Sequence, residues 1–190
     1  MLCPSCGIAA PAPLQDTLLP NSAIPAVAVY GYHTKAKRIL MNFKFQGARN
    51  VAHSIGYAMG EAASRRLQPP SDWLFCSVPM AKEQQRRRGY NQSALLASAA
   101  ARWIGAECDN SLLRKQRQNQ TQHDLPAALR EENVKNVYAP AEDAVEKIGN
   151  RGVVICDDIV TTGATLRACA DALQAAGVAR IVCLTYLRTE

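Results

Sequence analysis

Apolar runs alternate with amphipathic stretches from residue 26 to the C-terminus. AVAVYGYH (26–33) carries the β-branched and aromatic residues of a strand. In TKAKRILMNFKF (34–45), Ile39, Leu40 and Phe43 share one helical face and the lysines lie opposite. After Gly47, NVAHSIGYAMGEAASRRL (50–67) reads as a second, alanine-rich helix. DWLFCSVP (72–79) is a short apolar run closed by Pro79, the pattern of a buried strand. A basic loop is expected over 82–89, and Asn91 then caps the helix SALLASAAARWIG, which stops at Gly105. NSLLRKQRQNQTQHD (110–124) is polar, basic and aperiodic, so a mobile loop or loose hairpin is expected, and ENVKNVYAP (132–140) offers another strand. RGVVICDD (151–158) is the clearest strand in the chain. It runs into IVTTGA and the helix TLRACADALQAAG, where Leu166, Ala170, Leu173 and Ala176 line one face ahead of Gly177. ARIVCLTYL (179–187) follows as a strand, so this unit predicts a right-handed parallel crossover.

These elements predict an α/β fold, a parallel sheet of about five strands flanked by helices. Residues 26–70 are expected to form a small separate hood, and the Ala- and Pro-rich stretch 8–25 an extended linker. At 190 residues, the expectation is one domain over 26–190 preceded by a short segment over 1–25. A chain of that size buries roughly 70% of its extended surface and needs no staples. No apolar run reaches the length of about 18 residues that a membrane span requires. MLCPSCGIAAPAP has neither the charged n-region nor the apolar h-region of a secretory signal, so a cytoplasmic location is expected. The seven cysteines fit that view. Cys76, Cys156 and Cys183 sit in apolar runs, and an odd count without regular spacing is not a disulfide framework.

Charge changes the picture more than composition does. Residues 1–123 hold 15 Lys/Arg and 6 Asp/Glu, whereas 124–190 hold 7 and 10. No acid lies between Asp16 and Glu61, and only Arg86, Arg87, Arg88 and Arg102 are charged between Glu83 and Glu107. This asymmetry suits a polyanionic partner, either a phosphorylated metabolite or nucleic acid.

The sharpest chemistry lies in Val153–Val154–Ile155–Cys156–Asp157–Asp158–Ile159–Val160–Thr161–Thr162–Gly163–Ala164–Thr165. An apolar strand delivers two adjacent acids to its C-terminal edge, where open parallel sheets bind ligands. Backbone N–H groups from Thr162 to Thr165 can converge on one anion at the helix N-terminus, with hydroxyls from Thr161, Thr162 and Thr165. Carboxylates beside an anion site make sense only if the ligand also donates hydroxyls and shares a metal. A ribose 5-phosphate unit meets that description. The loop takes the phosphate, Asp157 and Asp158 accept from the 2′- and 3′-hydroxyls, and Mg²⁺ bridging to a pyrophosphate offsets the charge.

Four apolar residues, two acids, two apolar residues and Thr-Thr-Gly-x-Thr resemble the phosphoribosyl-pyrophosphate (PRPP) motif of type I phosphoribosyltransferases at every position. The wider chain resembles the ComF family, phosphoribosyltransferase-like proteins linked to competence and DNA uptake. The marks are Asn42–Phe43–Lys44–Phe45–Gln46–Gly47, the run Val78–Pro79–Met80, Arg86–Arg87–Arg88–Gly89–Tyr90–Asn91–Gln92, Arg117 with Thr121–Gln122, and Arg130 with Asn133. The resemblance implies a type I phosphoribosyltransferase-like fold in which Val78–Met80 form a pyrophosphate-binding turn. Lys82 and Arg86–Arg88 flank that turn and suit either pyrophosphate or a nucleic-acid backbone. It also implies that 114–123 is the loop that closes over PRPP, with Arg117 as its arm. Tyr90, Tyr30, Tyr32 and Phe45 lie near basic residues, where they either stack bases of single-stranded DNA or pack the core.

Cys3–Pro4–Ser5–Cys6–Gly7 has the spacing of a zinc ligand pair. Members of the family usually carry two such pairs, whereas a single pair leaves a Zn²⁺ site incomplete. The expectation is a sequence that begins inside the finger, with a metal shared between subunits and a remnant pair as alternatives. Three functions follow from the resemblance. The first is a PRPP-binding factor of natural transformation that holds single-stranded DNA and works with competence-machinery proteins. The second is an active transferase carrying ribose 5-phosphate from Mg²⁺–PRPP to an unknown nucleophile. The third is a PRPP-sensing regulator.

Overall fold

The computed structural model describes residues 17–19, 22–31, 34–45, 51–67, 72–116 and 137–189. The strands among them are β1 (Thr17–Leu18), β2 (Pro25–Gly31), β3 (Leu74–Ser77), β4 (Glu107–Cys108), β5 (Leu113–Lys115), β6 (Tyr138–Pro140), β7 (Val153–Val160) and β8 (Ile181–Arg188). The helices are α1 (Thr34–Phe45), α2 (Val51–Arg66), α3 (Lys82–Arg88), α4 (Gln92–Ile104), α5 (Ala144–Ile148) and α6 (Ala164–Ala175). The main sheet has the order β1-β2-β8-β7-β3-β4. Its five strands from β2 to β4 are parallel, and β1 adds an antiparallel edge. The parallel five-stranded sheet expected from the sequence is therefore present.

Central strands of such a sheet are covered on both faces, which is why β7 and β8 read as unbroken apolar runs. Along β7, Val153 and Ile155 enter one core with Leu166, Cys169, Ala170 and Leu173 of α6. Val154 and Cys156 enter the other, with residues of α1, α2 and α4. Phe75, fully buried in β3, belongs to this second core. Cys76, Cys156 and Cys183 pack as small hydrophobes, and burial pushes each thiol well up from its usual range.

Several expectations change. The described residues of 26–70 do not form a separate hood. β2 pairs in parallel with β8, from Ala26 opposite Cys183 to Gly31 opposite Arg188, and α1 and α2 share a core with α4. The reason is apolar area, since Leu40, Phe43, Ile55 and Met59 need the sheet face to be buried. The basic stretch 82–89 is not a loop. Lys82–Arg88 is a two-turn helix of good helix formers, closed by Gly89 in the left-handed region at φ 82° with its N–H donating to the Gln85 carbonyl. Residues 113–115, expected in a mobile loop or loose hairpin, pair antiparallel with 138–140. No helix among the described residues is long and apolar enough to cross a membrane.

Candidate functional site

The connections out of β3 and β7 diverge. From β3 the chain passes through α4 on one face to β4 at the sheet edge, and from β7 through α6 on the opposite face to β8. Adjacent parallel strands that send their helices to opposite faces leave a crevice at their C-terminal ends. Val78–Ala81 and Thr161–Gly163 leave the sheet there.

The two acids stand on the β7 side of that crevice. Asp157 is half-buried, and its Oδ1 accepts from the Ser93 hydroxyl at 2.7 Å and from the Asp158 N–H at 2.9 Å. Asp158 is only 7% exposed. β7 continues two residues beyond the acids, to Val160, before the loop begins. In the loop Thr161 is exposed and Thr162 half-buried, while Gly163 and Ala164 are buried and Thr165 is half-buried. Gly163 has φ 73°, which admits glycine at little cost and turns the chain into α6. The first N–H groups of α6 have no intrahelical acceptor and face the loop. Thr162 is tied on both sides, its Oγ1 accepting from the Ala164 N–H at 3.4 Å and its carbonyl from the Arg167 guanidinium at 3.0 Å.

The opposite wall is the segment after β3. Val78 is buried and its N–H donates to the Cys156 carbonyl, while Pro79 and Met80 are half-buried. The Asn91 amide donates to the Val78 carbonyl at 3.0 Å, and its Oδ1 accepts from the Ser93 N–H at 3.1 Å. Asn91 thus caps α4 and pins the turn with one side chain. Replacing Asn91 with Ala is expected to cost about 2 kcal/mol, one cap and one partly buried hydrogen bond. Thermal unfolding should show this as a fall of about 6 °C.

Lys82, Gln85, Arg86 and Gly89 line an open depression on α3, with Lys82, Arg86 and Arg87 exposed and Arg88 half-buried. Asp157, Asp158 and the Thr161–Thr165 segment adjoin at the end of β7, and Val78–Met80 leaves the neighbouring strand β3 beside them. Arg117, Cys3 and Cys6 lie outside the described residues, as do Tyr32, Thr121, Gln122, Arg130 and Asn133 and the side chain of Phe45. Tyr90 is 8% exposed and its hydroxyl donates to the Phe43 carbonyl, while Tyr30 meets Tyr186 edge-on at 5.4 Å. Tyr90 therefore packs inside the fold, and Tyr30 lies half-buried against the core.

Some contributors carry no sequence signal. Ser93 lies 64 positions from the acid it holds. Ser77, Gln92 and Thr185 are buried with side-chain polar atoms that have no hydrogen-bond partner among the described residues. Ser77 pairs with Cys156 and Thr185 with Asp157, so the C-terminal ends of these strands turn polar inside the sheet. On the α6 side, the Thr165 hydroxyl is within hydrogen-bond reach of the Tyr138 phenol, which burial pushes well above its usual range. Lys115 places its ammonium 5.8 Å from the Tyr138 ring centre, and burial lowers its pKa.

Comparison with known proteins gives the family by sequence. Residues 91–189 match the phosphoribosyl transferase domain. The DNA utilization protein YhgH of Salmonella typhi is 31% identical over 99% of this chain and 84% of its own length. Competence protein F of Haemophilus influenzae is 31% identical over 82% of this chain and 69% of its own. A glutamine PRPP amidotransferase from Bacillus subtilis, solved with ADP and GMP, superposes with a TM-score of 0.43 at 22% identity. That superposition covers 69% of this chain and 26% of the amidotransferase. With a domain match over half its length and relatives that align along nearly all of it, this chain belongs to the phosphoribosyltransferase domain family, in the ComF/YhgH group.

Proposed function

We propose that this chain is a PRPP-binding protein of DNA uptake or utilisation that also holds single-stranded DNA in the cytoplasm. The observation that carries the PRPP reading is the placement of Asp157 and Asp158 beside the Thr161–Thr165 loop at the switch point of the sheet. The loop takes the 5′-phosphate, and the two carboxylates accept from the ribose hydroxyls. The turn after β3, with Lys82 and Arg86, faces the pyrophosphate. Among the described residues no three His, Cys, Asp or Glu side chains converge on a metal position. Mg²⁺ therefore suits this donor set as an ion carried by the diphosphate and trimmed by one or two carboxylates. Titration calorimetry with PRPP, with and without Mg²⁺, tests the reading. Magnesium-dependent one-to-one binding supports it, and the absence of any heat at millimolar PRPP sinks it.

The DNA part of the reading is supported by the basic balance of residues 1–123 and by the relatives named for competence and DNA utilization. Joint replacement of Arg86, Arg87 and Arg88 with Ala is expected to flatten the dependence of log K on log salt by about 2 for a single-stranded oligonucleotide. A slope equal to the wild type's would move the phosphate contacts elsewhere on the basic surface.

A further inference from the structure

Tyr90 beside the arginine run is buried in the core, yet two other aromatic side chains stand out in solvent. Tyr57 on α2 is 41% exposed and Trp103 on the last turn of α4 is 44% exposed. Their ring centres lie 3.7 Å apart, with planes tilted by 47°. The backbones come close enough for this contact because Gly60 of α2 faces Trp103 and Gly56 faces Ala99. The exposed charged side chains described on α1, α2 and α4 are all cationic. On the helices of this face, Lys35, Lys37, Arg38, Arg65 and Arg102 are exposed. Glu61 is the one acid on these helices, and it is held by Arg65 at 2.8 Å.

We propose that Tyr57 and Trp103 form a stacking platform for the bases of single-stranded nucleic acid, with Arg102 and its basic neighbours on the phosphates. This rests on the nucleic-acid reading above and gives it a place. An exposed aromatic ring suits any base, and the basic charge of this helical layer favours a polyanionic chain over an apolar protein segment. The platform sits far from the crevice. α4 starts at the C-terminal edge of the sheet, and roughly 16 Å of helix separate Gln92 from Trp103. PRPP in the crevice therefore leaves the platform uncovered.

Trp103 and Trp73 are the only tryptophans in the chain. Trp73 is half-buried, with Gly152 packed against its indole and the Arg180 guanidinium 5.7 Å from its ring centre. Quenching of tryptophan fluorescence by oligothymidine thus reports on Trp103, while anisotropy of a labelled oligothymidine gives the affinity independently. The expected results are quenching of the wild type and binding about ten-fold weaker in Trp103→Ala and in Tyr57→Ala. Trp103→Phe, which keeps a ring, should stay within about two-fold of the wild type. An abasic oligomer with the same number of phosphates should bind the wild type no better than oligothymidine binds Trp103→Ala.

The inference is overturned if the wild type binds oligothymidine without quenching and both alanine variants bind equally well, which leaves the nucleic-acid reading standing. It is also overturned if sedimentation shows Trp103→Ala dissociating a dimer, since the pair would then be a contact between copies. A wild type that binds no oligothymidine overturns both this inference and the reading on which it rests.

Discussion

Asp158→Asn is expected to bind Mg²⁺–PRPP about 100-fold more weakly than the wild-type chain, because hydrogen bonds to a charged acceptor contribute about 1.5–3 kcal/mol. The change is isosteric, so it opens no cavity beside the buried strand end, and it removes the negative charge that the ribose hydroxyls and the metal would use. The melting temperature should stay within about 3 °C, since removing a largely buried charge relieves a desolvation penalty as it loses polar contacts. Calorimetry of both proteins under identical Mg²⁺ checks the affinity, and thermal unfolding checks the fold. Equal affinities would mean that the loop binds its anion without the acidic pair, which would remove ribose from the reading. Asp157 calls for a different variant. Its Oδ1 already accepts from Ser93 and from the Asp158 N–H, so Asp157→Ala would disturb the strand end as well as the charge.

The half of the site on β7 and α6 is legible in the sequence because one continuous segment builds it. An apolar run specifies a buried strand, and the residues after it are those that an anion-binding loop needs. The half on the other wall is not legible in this way. Whether β2 lies in the main sheet depends on its pairing with β8, more than 150 residues away in the chain, and no local period encodes a partner. α3 escapes notice because KEQQRRR presents no apolar face, and in the structure it buries none of its residues. β4 has two residues and β5 three, fewer than an alternating pattern needs to declare itself. Ser93, Gln92 and Thr185 matter through what surrounds them in space. Tyr90 lies within the basic stretch, and only the fold shows that its ring packs beside Phe43 at 5.7 Å between centres.

The helical layer that carries the aromatic pair depends on a glycine whose replacement should have the largest effect on stability. A Cβ on Gly56 would lie 2.3 Å from the Ala99 Cβ, 3.1 Å from the Leu96 carbonyl oxygen and 3.2 Å from the Ala100 nitrogen. These neighbours are backbone or the stub of an alanine, so none can swing aside, and relief requires α2 to move away from α4. In a solvated helix, losing a glycine would stabilise by up to about 1 kcal/mol through propensity. Here the steric term wins, because overpacking a buried contact costs about 1–3 kcal/mol and a branched side chain falls at or beyond the upper end. Gly56→Val is therefore expected to lower stability by about 3 kcal/mol, a fall of about 8 °C in the melting temperature. Its second consequence is local. Moving the helices apart separates Tyr57 from Trp103, so the tryptophan emission of the folded variant should change at temperatures well below its transition. A melting temperature equal to the wild type's would show that α2 and α4 cross with more room than these distances allow. A lower melting temperature with unchanged emission would show that the aromatic contact survives without the close crossing.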